Sequence, residues 1–415
     1  MNVQQIATTL NTKILPNILG EDVLVTEDLS NIVDIGIKIG NINAYDKYVG
    51  KVINHIGMVK LTDRVIRSTA PKILKEGWMY GSIMELLSFK LPDAIDNEAY
   101  KLTNGATYNQ DVFYAPDVTA QFYNDKDTWT IPMSFLANGT EDDRIVQSFS
   151  NAAQTVAFWS GIELAIDNAL ALQTDALIMR TLNNYIATVM YEEIFKTAGA
   201  GTTEGDYGTI RAVNTVKLYN TEFPDKAVTV ANCKYNKDFL KFESYIMAMY
   251  LDRMSRASTV FNLAGETRQT PKDSLHFVTL SDFERATEMY LESDTFHKEL
   301  VSLPLHEVVP FWMGSGTGFD FDDVSNVHVK IKRTINNVDT AVEINATGIV
   351  AVMFDDYAAS VTNQKSSVTT HYNALGDFIN NYYSVTAGFN NMFDQNFVVF
   401  FRADPTPTPD VGGDT

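Results

Sequence analysis

The sequence predicts an α+β fold, on three observations. Residues 77–135 hold two strand-forming runs with no helix between them. Residues 151–196 contain no proline and only Gly161 as an interruption, so they read as a helix far longer than a compact domain needs. Residues 205–345 then alternate strands with helices, as an α/β or α+β lobe does.

The chain begins with an arm. Residues 1–50 offer few large apolar anchors and read as helical or extended, and YVGKVINHIGMVKLTDRVI then forms a compact lead-in up to about residue 76. The strand arm follows in runs 77–91 and 118–135. Trp78, Tyr80, Ile83, Phe89, Phe122, Tyr123, Trp129 and Ile131 favour a pleated surface, while Asn104-Gly105 and Pro116 are turn signals in the polar stretch that holds Phe113 and Tyr114. An isolated pair of strands is marginal in water unless something covers a face.

After Asn138-Gly139-Thr140, the acids Glu141, Asp142 and Asp143 suit the N-terminus of a short helix ending near Phe149. In the long helix, apolar residues recur near helical spacing from Ala152 through Ile162, Ile166, Leu177, Leu182, Tyr185 and Val189 to Ile194, with a polar slip at Gln173. At about 1.5 Å per residue it would span roughly 65 Å. TAGAGTTEGDYG cannot continue it. Arm and helix together expose more apolar surface than they can cover, which predicts a part that leans on neighbouring subunits.

In the lobe the sequence predicts a helix over 207–223 closed by Pro224, a strand over 227–231, and a helix over 236–254 with Leu240, Tyr245, Met249 and Met254 as buried candidates. A strand at 275–280 precedes a helix to Leu291, with Ser281 and Glu284 as a capping box. Strands return in HVKIKRTI, TAVEINA, GIVAVMF, INNYYSVTAGF and NFVVFF, and the tail from Ala403 is rich in proline, glycine and aspartate.

Composition excludes several functions. With 45% hydrophobic and 11% aromatic residues among 415, the chain must bury a substantial core. No apolar run approaches a membrane span, the N-terminus lacks a signal-peptide pattern, and a single cysteine, Cys233, fits a cytosol-like compartment. A net charge of −20 opposes a grip on nucleic acid. The local exception is Lys47, Lys51, Lys60, Arg64, Arg67, Lys72 and Lys75, read as a solvated face or a patch for an acidic neighbour subunit, with direct phosphate contact as the alternative.

Catalytic, cofactor and metal patterns are not found. Gly314-Ser315-Gly316-Thr317-Gly318 lacks the ending of a phosphate loop and is followed by Asp320, Asp322 and Asp323, which miss calcium-loop spacing. The six histidines are scattered and Cys233 reads as a buried inert thiol. Glu192-Glu193 read as solvent-facing charges, and Asp355-Asp356 as a polar strand end.

The order of parts resembles the major capsid proteins of tailed double-stranded-DNA bacteriophages, the Hong Kong phage type of fold, and is most similar to the head proteins of small short-tailed phages. The residues that carry the resemblance are segment 138–149, strand 348–354 with Asp356-Tyr357, and above all Asn380-Asn381-Tyr382-Tyr383-Ser384-Val385 through Phe389 with the closing run 396–401. It implies an N-arm (1–76), an E-loop β-hairpin (77–137), a P-domain with spine helix (138–204), an α/β A-domain (205–345), long P-domain return strands (346–402) and a flexible tail (403–415). It further implies a structural, non-enzymatic subunit without cofactor that forms pentamers and hexamers of an icosahedral shell. Scaffolding protein and portal are the implied partners, and packaged DNA is enclosed without specific recognition or membrane contact. Trp78, Tyr80, Ile83, Phe89, Phe113, Tyr114, Phe122 and Trp129, with Lys47, Lys51, Arg64, Arg67, Lys72 and Lys75, become candidates for contact between subunits. An encapsulin-like protein compartment, which shares this fold, is the alternative.

Overall fold

The structure is a computed structural model and describes residues 64–65, 70–75, 84–91, 115–123, 126–136, 152–195, 208–291, 305–312, 324–335, 338–376 and 378–404, with Asn11, Thr26, Asp28 and Ser30 before them. In chain order the strands are β1 (Leu74–Lys75), β2 (Met84–Phe89), β3 (Val118–Tyr123), β4 (Lys126–Leu136), β5 (Ala212–Asn214), β6 (Leu275–Leu280), β7 (His306–Val309), β8 (Val327–Ile335), β9 (Val338–Ala346), β10 (Ile349–Asp355), β11 (Ala359–Asn373), β12 (Phe378–Asn391) and β13 (Phe397–Phe401). The helices are α1 (Ala152–Met190), α2 (Thr215–Glu222), α3 (Val230–Cys233), α4 (Lys237–Met254) and α5 (Ser281–Leu291). The α+β expectation holds. Two compact units divide the chain: Met1–Ser68, Asp127–Asp175 and Gln364–Ala387 make the first, and Thr69–Lys126, Ala176–Asn363 and Gly388–Thr415 the second.

In the first unit β12 lies between β11 and β4. Thr128 bonds Thr386 at 3.2 Å, Thr130 bonds Ser384 at 2.9 Å and Ser134 donates to Asn380 at 2.6 Å, so β4 and β12 run antiparallel. Trp129, Ile131 and Met133 are half-buried, while Thr128, Thr130, Pro132 and Ser134 are exposed. That is the period-two alternation of a one-sided sheet. Pro132 is tolerated because β4 is an edge strand. The first half of α1 is amphipathic, with Ile166 buried and Glu163, Asp167 and Gln173 exposed. Asn168 donates from this helix to the carbonyl of Arg64 at 2.9 Å.

The second unit is built on a five-stranded sheet in the order β5-β13-β10-β6-β7. β10 pairs antiparallel with both β13 and β6, while β5 and β7 add in parallel at the edges. Both faces are covered, which is why IVAVMF and FVVFF are continuous apolar runs rather than alternating ones. On one face Tyr219, Phe239, Leu240, Met247, Tyr250 and Phe283 of the α2, α4 and α5 helices pack with Phe277, Met353, Val398 and Phe400. On the other, Tyr185 of α1 stacks on Phe397 at 3.9 Å between ring centroids and donates to the carbonyl of Met392 at 2.5 Å. Trp312 closes the same core by donating Nε1 to the carbonyl of Ile349 at 2.9 Å. Asn214 and Asn236 cap α2 and α4 by accepting from Lys217 and Phe239.

Several expectations are corrected. The run 118–135 is not one strand: β3 pairs with β2, whereas β4 joins β12 in another sheet. The helix expected over 207–223 begins with strand β5 before turning into α2, and the strand expected over 227–231 is replaced by a 3-10 turn, Pro224–Lys226, and by α3. Tyr245 is 61% exposed rather than buried. The long helix holds, but it is not bare throughout. From Thr181 to Met190 every residue except Asn184 is buried within the second unit, and α1 ends in a π-helical turn, Tyr191–Phe195. The short helix expected at 141–149, the arm before residue 64, the glycine-rich loop at 314–318 and the tail beyond residue 404 lie outside the described residues.

Candidate interaction surfaces

β2 and β3 form an antiparallel hairpin in strict register from Met84 opposite Tyr123 to Phe89 opposite Val118. Residues directly opposite share a face. Phe89 and Val118 therefore make an apolar cross-strand pair, and both are exposed, at 64% and 41%, with Leu91 at 65% beside them. Unpaired apolar area of this kind marks a surface that something else covers. Lys90 donates its backbone N–H to the Asp117 carbonyl at 2.9 Å and places Nζ 3.5 Å from the Asp117 carboxylate and 3.4 Å from that of Glu266. These carboxylates hold the Lys90 ammonium above its ordinary pKa, chiefly through the Glu266 hydrogen bond.

The chain entering the hairpin is tied to the lobe by a second set of charges. Lys75 pairs with Asp356 and lies 5.9 Å from the Tyr357 ring centroid. His276 Nε2 lies 2.9 Å from the same Asp356 carboxylate, and its ring stacks on Phe354. Burial pushes the Asp356 carboxyl up, but Lys75 and His276 outweigh it and leave the group below its usual pKa. Asp355, next in the chain, is pushed up by burial, only partly offset by donors from Tyr357 and Thr270. The adjacent backbone at Lys72 donates to both carboxylate oxygens of Glu307, at 3.1 and 3.0 Å. Asp355-Asp356, expected as a polar strand end, are thus held by specific partners. Apart from the Tyr357 N–H, their partners Thr270, Lys75 and His276 lie far off in the chain, so no local signal could have found them.

Three of the histidines that look scattered in the sequence face carboxylates: His276 with Asp356, His306 with Glu284 at 2.9 Å, and His328 with Glu343 at 2.6 Å. Glu193, expected to face solvent, is instead mostly buried and accepts from Arg211 at 2.6 Å. Cys233 is buried, and desolvation raises its thiol pKa, which makes it a poor nucleophile.

Of the residues singled out as contact candidates, Phe89, Arg64 and Lys72 are exposed, Lys75 is engaged by Asp356, and Trp129 is half-buried in β4. Phe122 stands opposite Glu85 in the hairpin ladder. Trp78, Tyr80, Ile83, Phe113, Tyr114, Lys47, Lys51 and Arg67 lie outside the described residues. Among the described residues no group of histidine, cysteine and carboxylate side chains is disposed to hold a metal ion, and no helix is long and apolar enough to cross a membrane.

A family model described as Phi29-like phage major capsid protein matches residues 13–401. No curated protein matches the chain. Among solved structures, a chain from the capsid structure of Staphylococcus phage Andhra is similar at 10% identity with a TM-score of 0.51, covering 84% of this chain and 88% of that one. A chain from the structure of the head fiber and inner core protein gp22 of native bacteriophage P68 is similar at 10% identity and a TM-score of 0.44, over 83% of this chain and 88% of that one. A chain from the capsid structure of the cyanophage P-SCSP1u gives 9% identity and a TM-score of 0.40, over 84% and 93%. The Andhra likeness shows the fold, and it is the tailed-phage capsid fold that the order of parts resembles.

Proposed function

The chain belongs to the Phi29-like phage major capsid protein family, and from that premise we propose that many copies close, with a scaffolding protein, into the icosahedral head that encloses the double-stranded DNA genome. The encapsulin-like alternative gains no support from a family match to a phage capsid protein. The match over residues 13–401 carries this reading, because a likeness that long takes in the hairpin, the long helix and the lobe together.

In this reading 77–137 is the E-loop, α1 the spine of the P-domain within 138–204, 205–345 the A-domain, and 346–402 the return strands. The lobes meet as pentamers and hexamers, a portal occupies one vertex, and assembly takes place in the host cytoplasm. The subunit is structural and catalyses nothing. The exposed pair Phe89 and Val118 is then buried by a different surface of the next subunit, as the head-to-tail contacts of a closed ring require. The remaining contact candidates follow the same assignment, with the basic stretch from Lys47 to Lys75 meeting acidic surface. A charge of −20 suits a wall along which packed DNA must slide. Co-expression with the scaffolding protein, followed by light scattering and sedimentation, tests the reading: large uniform particles are expected, and monomers or small rings alone would contradict it.

A further inference from the structure

The two outer edges of the first unit's sheet are unlike. On one, β4 carries Pro132, which offers no N–H and discourages a further strand. On the other, β1 reaches β11 only at Val361 and Thr362. Among the described residues, no strand lies beside residues 365–371 on that side. The segment reads KSSVTTH: it has no proline, holds strand-favouring valine and threonine, and bears Lys365 at its start as its one permanent charge. Val368 is 59% exposed there.

Charge selects the same place. Asp and Glu supply 52 of the 415 residues, about one in eight, yet β11 and β12 contain neither. Two copies that each carry −20 repel over most of their surfaces, and an acid-free strand edge is where they approach at least cost. Main-chain hydrogen bonding along such an edge gives affinity without any special side chain.

We infer that the outer edge of β11, over residues 365–371, takes a strand from a second copy of this chain in the assembled shell. This rests on the shell reading above. Hydrogen exchange read by mass spectrometry on shells and on dissociated subunits tests it. The outward N–H groups of 365–371 exchange freely in the subunit and slow by at least ~100-fold in the shell. Shells whose edge exchanges as in the free subunit overturn the inference and leave the shell reading standing. So does an edge already protected in the subunit, since the chain would then cover itself. A chain that forms no shells overturns both.

A pair of prolines gives an independent reading. Adjacent residues of a strand turn their N–H groups to opposite sides. Of Thr369→Pro and Thr370→Pro, one therefore removes a bond to β12 and the other an edge donor alone. The edge variant is recognised by a melting temperature near wild type, and its shell yield falls at least ~10-fold. A normal yield from that variant contradicts strand addition.

Discussion

Arg402 donates Nε and Nη2 to the two carboxylate oxygens of Glu243 at 3.0 and 2.5 Å, joining the end of β13 to the middle of α4. Glu243 is fully buried and also accepts from Thr215 at 2.8 Å, while the guanidinium lies 5.4 Å from the Phe239 ring centroid. Breaking such a pair strands a charge in the core. Glu243→Leu alone is expected to cost about 3–5 kcal/mol in urea denaturation, and pairing it with Arg402→Met recovers most of the loss. A double variant as unstable as the single one would show that the pair itself is indispensable.

The turn into β10 depends on the same strand end. Gly348 has φ +71°, and a Cβ there would lie 2.1 Å from the Arg402 carbonyl oxygen, whereas Gly265, also at φ +71°, has open space. Gly265→Ala is expected to cost about 1–2 kcal/mol for the left-handed backbone alone. Gly348→Ala adds a clash with main chain and costs more. Equal losses would mean that β10 and β13 shift apart freely.

Asp355 and Asp356 respond to pH with opposite sign. The Asp355 pKa is raised, so its contribution favours folding at low pH and is lost as pH rises through the folded value. The Asp356 pKa is lowered, so its contribution is present above the ordinary carboxylate range and is lost as pH falls through the folded value. Asp355→Asn should therefore melt at or above wild type at pH 8, with the advantage shrinking towards pH 4. Asp356→Asn should melt below wild type at pH 8 and converge with it in acid. Parallel melting curves for both variants would refute these assignments.

Phe89 separates subunit stability from assembly. Because it is 64% exposed, Phe89→Ser is expected to change subunit stability by no more than about 0.5 kcal/mol. Shell yield should fall sharply, and deleting residues 93–116 should likewise impair assembly while the subunit stays soluble. Full shell yield from either variant would remove the hairpin from the interface.

Local signals were legible in the sequence. Leu275–Leu280 and α4 stand where expected, because an apolar run and an asparagine cap act within a few residues. Long-range pairing was not. Nothing in residues 118–135 says that Thr130 will meet Ser384 while Val118 meets Phe89, and the β-rich KAVTVAN yields to the proline turn before it and to Thr229 beginning α3. The burial of Glu193 against Arg211 and of His276 against Asp356 was likewise hidden, since each partner is brought in by the fold. Of the interaction surface, the exposed face at Phe89 was readable from a strand arm without cover. The acid-free edge of β11 needed the sheet order.

Cryo-electron microscopy of shells formed on co-expression with the scaffolding protein decides whether the hairpin face joins one subunit to the next. Closed icosahedral particles are expected, with Phe89 and Val118 of each hairpin buried against an adjacent subunit. Particles in which both residues stay exposed to solvent, or fields of monomers and small rings alone, would contradict that expectation.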